Sequence, residues 1–180
     1  MLNEIYKRIL LNENVVIEFK DLNSNLVNTL TNLLKQKNEG ICISEGFIKP
    51  DSIKLINYST GELYSNKVSI NIAYECYIAN PAESDIYECI VKSITKVGIR
   101  AEINNESSNP VIIFIARDHH HNNELFSKVK ENDIVNVRVI GKRYELNDKY
   151  ISLIAELIDK NKESIMLSQK SQKRKLSKKK

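Results

Sequence analysis

The chain has 180 residues, 42% apolar and 28% charged, with a formal net charge of +4. That length holds one domain or two small ones with modest cores, and the composition is that of a globular protein rather than a disordered or fibrous one. The longest uninterrupted apolar run, 111–116, is far too short to cross a bilayer, which argues against a membrane-spanning helix.

The first residues, Met1-Leu2-Asn3-Glu4-Ile5-Tyr6-Lys7-Arg8, carry mixed charge and lead into no apolar signal core, so an intracellular protein is expected. Residues 5–11 read as a first strand and 15–19 as a second short apolar run. A helix comes next: Leu26, Leu30, Leu33 and Leu34 fall at i, i+4, i+7 and i+8 and form one apolar face. Asn23, Ser24 or Asn25 suits its start, and Gly40 follows its end. Strands are expected at 40–48 and 52–56, then a turn at Ser59-Thr60-Gly61. Val68, Ile70, Ile72, Tyr74 and Cys76 alternate with Ser69, Asn71, Ala73, Glu75 and Tyr77, the period of a long strand with one buried face. Asn80-Pro81 ends that strand and marks a domain boundary.

Five strands are expected beyond it, at 85–95, 98–104, 110–116, 133–142 and 149–156, with a longer gap at 117–132. This is the layout of an OB barrel. Gly98 suits the bend of a strand coiling around a small barrel, and Leu146-Asn147-Asp148 suits a hairpin tip. The expected fold is α+β to mostly β: a small α+β domain over 1–80, a five-stranded OB barrel over 81–160, and a basic tail over 161–180 for which disorder is expected.

From Gln169 the tail carries seven basic residues and no acidic ones. Setting those seven aside leaves 20 Lys+Arg against 23 Asp+Glu, so the body is net −3. Three roles stay open for the tail: phosphate contact, nuclear import, or a solubilising end. Lys outnumbers Arg 21 to 6, and Ile and Asn are abundant too. All three have A/T-rich codons, so no single Lys or Asn is read as chemistry for its abundance.

Cys42, Cys76 and Cys89 are odd in number and form no CxxC pair, which argues against a zinc knuckle or a disulfide framework and for small core residues. His119-His120-His121 are consecutive, so their nitrogens diverge, and a solvated loop is expected rather than a metal site. No phosphate-cradling glycine loop or GxSxG elbow is present, and Glu102 and Glu106 read as solvated strand-end charges. Neither a catalytic residue nor a cofactor is expected.

Several blocks in order carry a resemblance. They are Asn25-Leu26-Val27-Asn28-Thr29-Leu30, Glu39-Gly40-Ile41-Cys42, Gly46-Phe47-Ile48 and the strand through Tyr74 and Cys76. In the barrel they are Lys96-Val97-Gly98-Ile99 with Ala101-Glu102-Ile103, then Phe114-Ile115-Ala116-Arg117, then Val139-Ile140-Gly141-Lys142-Arg143 with Asn147-Asp148. Over about 150 residues the chain resembles the larger stalk subunit, the seventh-subunit family, of eukaryotic and archaeal DNA-directed RNA polymerases, versions of which large DNA viruses encode. The basic tail lies outside the likeness.

The resemblance implies a non-catalytic subunit. Its amino-terminal tip domain would dock on the polymerase large subunits, with Glu45, Gly46, Phe47 and Ile48 at the contact. A second, smaller stalk subunit would pack along the junction of the two domains. Its barrel, of the ribosomal S-one type, would bind emerging single-stranded RNA, in a nucleus if the gene is cellular and in a virion or viral replication site if it is viral. Such barrels present aromatics near the bent strand, whereas this chain has Val97 and Arg100 there and then Phe114. Stacking contributes about 1–3 kcal/mol per base, so one aromatic implies weak, mostly electrostatic binding. The expected RNA face is Arg100, Phe114 and Arg143, edged by Lys96 and Arg117. Two other readings use the same barrel: a free RNA-binding adaptor of translation or RNA decay, and a structural subunit whose barrel has lost RNA binding. The segment 25–48, similar to the stalk tip, favours the first reading.

Overall fold

The computed structural model describes residues 4–22, 25–104, 109–120 and 124–158. Asn23, Ser24, Glu106, His121 and the tail 161–180 lie outside the described residues. The chain divides into two compact units, one containing Glu4–Asn80 with Tyr144–Ile151, the other, of the described residues, Pro81–Arg143 with 152–158. No helix among the described residues is long and apolar enough to cross a membrane.

The first unit is built on one long ladder. Strand β1 (Tyr6–Glu18) pairs antiparallel with β6 (Lys67–Ala79) from Tyr6↔Ala79 to Glu18↔Lys67. The runs expected at 5–11 and 15–19 are therefore one strand. The intervening polar residues keep its alternation: Asn12 and Asn14 are exposed, while Glu13 is half-buried and meets Lys37 and the Asn38 amide, which donates to its Oε2 at 2.6 Å. Helix α1 (Leu26–Asn38) covers the inner face with Leu30 and Leu34, both fully buried. Leu33 is exposed, so the buried stripe is narrower than its leucine spacing suggests. Asn38 extends the stripe by one turn, and the helix stops at Gly40, whose φ of +75° is the left-handed conformation that ends helices.

Strands β2 (Cys42–Ile43) and β3 (Gly46–Ile48) form a tight hairpin, and β3 continues onto β6 through Phe47↔Ala79 and Ile48↔Ile78. Gly46 has φ +135°, and a Cβ there would lie 2.4 Å from the Ala79 carbonyl oxygen, so only glycine fits. Strands β4 (Lys54–Tyr58) and β5 (Glu62–Tyr64) also pair with β6. The alternation of β6 puts Ile70, Ile72, Tyr74 and Cys76 under the helix. The segment Tyr144–Ile151 belongs to this unit as well. The Cys42 N–H donates to the Asp148 carbonyl at 2.7 Å, the Asn147 N–H donates to the Cys42 carbonyl at 2.8 Å, and the Tyr144 hydroxyl donates to the Ser44 carbonyl at 3.1 Å.

The second unit is a closed barrel of β7 (Ile86–Ile94), β8 (Gly98–Ile103), β9 (Val111–Ala116), β10 (Ile134–Arg143) and β11 (Ile151–Ile158). The order around it is β7-β8-β9-β11-β10 and back to β7, the strand order of an OB barrel. The mostly β architecture with a five-stranded barrel is thus the one expected from the alternation. Small and branched side chains fill the interior, among them Cys89, Val91, Ile99, Ala101, Ile113 and Ala155, all fully buried. Register shifts between Val91 and Ser93 on β7, and between Val139 and Gly141 on β10, are the bulges that bend these strands. The gap after β9 holds a 3-10 turn at Arg117–His120 and a short helix α2 (Glu124–Lys128).

Candidate nucleic-acid interface

On β8, Ile99 and Ala101 point into the barrel, so Arg100 and Glu102 point out. On β9, Val111, Ile113 and Ile115 are buried, so Ile112 and Phe114 point out. The register sets Arg100 directly opposite Phe114, and both are exposed. Cross-strand neighbours lie close enough for a flat guanidinium and a ring to offer one continuous surface.

Glycine positions that ring. A Cβ on Gly98 would lie 2.8 Å from Phe114 Cζ and 2.5 Å from the Ile115 carbonyl oxygen. The ring of Phe114 therefore lies over the backbone of Gly98, its other side left to solvent. Gly98 is present for this close approach rather than for a positive φ.

Two further charges join the face. The Glu102 carboxylate lies 3.7 Å from an Arg100 guanidinium nitrogen and 3.6 Å from the Lys92 ammonium. Lys92 faces outward by the ordinary alternation of β7, in which Tyr87, Cys89 and Val91 are buried, and it is the bulged residue between Val91 and Ser93. Sequence reasoning passed over both: Glu102 read with Glu106 as a solvated strand-end charge, and Lys92 drew no notice because which charges meet across β7 and β8 is set by their register.

The remaining expected RNA residues divide. Lys96 lies in the β7–β8 turn beside Arg117, whose Nε donates to the Lys96 carbonyl at 2.8 Å. The Arg117 guanidinium also lies 5.0 Å over the Phe126 ring, so this side chain holds the turn. Both cations lie at the Gly98–Ala116 end of the β8–β9 pair, close to Arg100 and Phe114. Arg143 is not brought to them. It pairs with Ser152, beyond the point where Arg138 meets Ile86 at the start of β7, whereas Arg100 meets Ser93 near its end. The two arginines occupy opposite ends of the barrel.

The residues expected at a polymerase contact also divide. Phe47 and Ile48 are core residues, because β3 is covered on both faces once it joins β6. What the segment exposes is the β2–β3 turn, Ser44-Glu45, where the Ser44 hydroxyl donates to Glu45 Oε2 at 2.6 Å and the Asn80 amide donates to the Glu45 carbonyl at 2.6 Å.

The histidine run is not a solvated loop throughout. His119 is exposed, but His120 is buried and bonded through both ring nitrogens. Its Nε2 accepts the Leu157 N–H at 2.9 Å, so Nδ1 carries the proton and donates to the Ala116 carbonyl at 2.8 Å. The ring stacks on Phe126 with centroids 5.2 Å apart. The helical turn after β9 makes this possible by returning position i+4 to the carbonyl at the strand's end. His120 is thus a fixed part of the barrel wall. Among the described residues, no group of three or more His, Cys, Asp or Glu gathers where one metal ion could be held. In comparisons with known protein families and with curated proteins, nothing matches this chain.

Proposed function

We propose that this chain is a non-catalytic stalk subunit of a DNA-directed RNA polymerase whose barrel contacts emerging single-stranded RNA weakly and without sequence preference. One observation carries the RNA half of this reading. An exposed arginine and an exposed aromatic lie directly opposite each other on β8 and β9 of a barrel with OB strand order, the two strands that face ligand in such barrels. A base stacks on Phe114 while Arg100 offers its plane or its charge, and Lys92, Lys96 and Arg117 supply positive potential nearby.

The polymerase half is supported by the ordered likeness of residues 25–48 and of the barrel blocks to the stalk family. In this reading the unit built on β1 and β6 is the tip that docks on the large subunits, and a smaller stalk subunit is a further partner. The barrel is of the ribosomal S-one type. The seven cations from Gln169 onward add a sequence-independent attraction to phosphates. The protein works in the nucleus if the gene is cellular and in the virion or replication site if it is viral.

Two measurements test this. Arg100→Ala should weaken binding of single-stranded RNA roughly fivefold or more, about 1 kcal/mol, to a similar degree across sequences and with little loss of stability. Arg143→Ala, at the other end of the barrel, should change affinity much less. If neither variant differs from wild type, the barrel is a structural element. Affinity capture of the native protein should bring down the large polymerase subunits; ribosomal or decay factors in their place would favour the free adaptor.

A further inference from the structure

Among the described residues, Glu102 is an acid on the Arg100–Phe114 face whose oxygens reach two of that face's cations, Oε2 lying 3.6 Å from Lys92 and Oε1 3.7 Å from Arg100. Its side chain is about one-third exposed and theirs about half, so these are solvent-screened pairs that add little to folding stability. The positions are nonetheless particular. Glu102 lies opposite Ile90, one outward step along β8 from Arg100, and Lys92 is the next outward residue after Ile90 on β7. A polar residue without charge would serve a solvated strand equally well. A carboxylate here has a consequence for any anionic ligand.

We propose that Glu102 is a built-in competitor for RNA phosphate, holding Lys92 and Arg100 so that the face rejects phosphate alone and retains strands that also offer an unstacked base. The inference rests on the RNA-binding reading above and names how that site is regulated. A phosphate reaching Arg100 or Lys92 must displace the carboxylate, so one anionic partner is exchanged for another and the net electrostatic gain is small. Stacking on Phe114 meets no such competitor. Single-stranded RNA supplies both interactions. A duplex, with its bases stacked inside, supplies phosphates only. The acid therefore trades affinity for discrimination and fast release, as suits a surface that a strand passes over.

The test is a charge-neutral exchange of similar shape, Glu102→Gln, with Glu102→Thr as a second variant suited to a strand. Fluorescence anisotropy would follow a labelled single-stranded oligouridylate and an RNA duplex of equal length, at about 50 and 200 mM salt. The exchange should tighten single-stranded binding roughly three- to tenfold at the lower salt and steepen the salt dependence by about 0.7 in log–log slope per phosphate gained. Duplex binding should tighten more than single-stranded binding, so discrimination between them falls. In the Lys92→Ala/Arg100→Ala background the same exchange should give no more than about a twofold gain, because the carboxylate then holds nothing. Unchanged affinity and slope in both variants, with Arg100→Ala still weakening binding, would overturn the competitor role and leave the RNA reading standing. A gain of equal size in the Lys92→Ala/Arg100→Ala background would reduce Glu102 to general repulsion and also overturn it. If Arg100→Ala and Phe114→Leu both bind as wild type does, the RNA reading itself fails and this inference with it.

Discussion

Cys42, Cys76 and Cys89 are fully buried free thiols, and their chemistry follows from that burial. Desolvation is the larger cause that pushes Cys42 up to about 11, with Asp148 adding to it. Burial followed by nearby carboxylates, Glu39 first, pushes Cys76 up to about 11, and burial followed by Glu88 pushes Cys89 up to about 12. The phenols of Tyr74 and Tyr87 are raised for the same reason, burial first and then a neighbouring acid, Glu13 or Asp85. Unfolded thiols ionise near 9. Above that pH the unfolded chain loses protons that the folded chain keeps, so stability falls as pH rises from about 9 towards 11–12. Below pH 9 these groups leave stability flat. Urea midpoints across this range should decline in the wild type and decline less in a triple Cys→Ala variant. At pH 8, iodoacetamide should label the thiols only at a rate set by unfolding.

At the scale of elements, the β8–β9 pair is where packing and the candidate site share residues. Gly98→Ala would force a methyl to within 2.5 Å of a backbone carbonyl and 2.8 Å of the Phe114 ring. The carbonyl belongs to the barrel ladder and cannot retreat, so the substitution should cost about 1–3 kcal/mol and tilt the ring away from its seat. Gly141 is the control. It lies in the same barrel with nothing within 4 Å of a built Cβ, so Gly141→Ala should be close to neutral. Denaturant unfolding of the two variants checks the contrast directly. His120 teaches the same lesson at the end of β9. A side chain in what read as a solvated loop is a structural link, because its partner lies on β11, distant in sequence.

At the scale of the whole molecule, the polymerase reading needs a surface, and the buried apolar pair Phe47 and Ile48 is not one. Phe47→Ala would cost about 3–5 kcal/mol through the core whatever the protein binds, so loss of capture by that variant would say nothing about docking. The exposed β2–β3 turn is the better probe. Glu45→Lys should leave the melting temperature nearly unchanged, since exposed substitutions fall within about 0.5 kcal/mol. Recovery of the large polymerase subunits should fall sharply. Full recovery at unchanged stability would move the docking surface away from this turn.

The local periods of the chain determined its elements. Alternation through Ile70, Ile72, Tyr74 and Cys76, the leucine spacing of α1, and five strand-length runs after Pro81 each depend on neighbours within a few residues, and each element is present. Arg100 was legible as a face residue for the same reason, since an arginine between Ile99 and Ala101 has one way to point, whereas Phe114 sits in a run apolar throughout and its outward facing comes from the register opposite Arg100. Other features had no local signature. The continuity of β1 through Asn12-Glu13-Asn14 depends on β6 opposite it and on Lys37 and Asn38 above Glu13. The short strand β5 exists because β6 offers it an edge, and its three residues are all exposed. The Lys92–Glu102–Arg100 cluster depends on the register of β7 against β8, which sets Ile90 opposite Glu102 and Ser93 opposite Arg100. The separation of Arg143 from Arg100 depends on strand register around a closed barrel. Periodicity is a property of neighbouring residues, and it chose the elements. Pairing, register and cover arise between residues far apart in sequence, so only the tertiary structure decided which side chains share a surface.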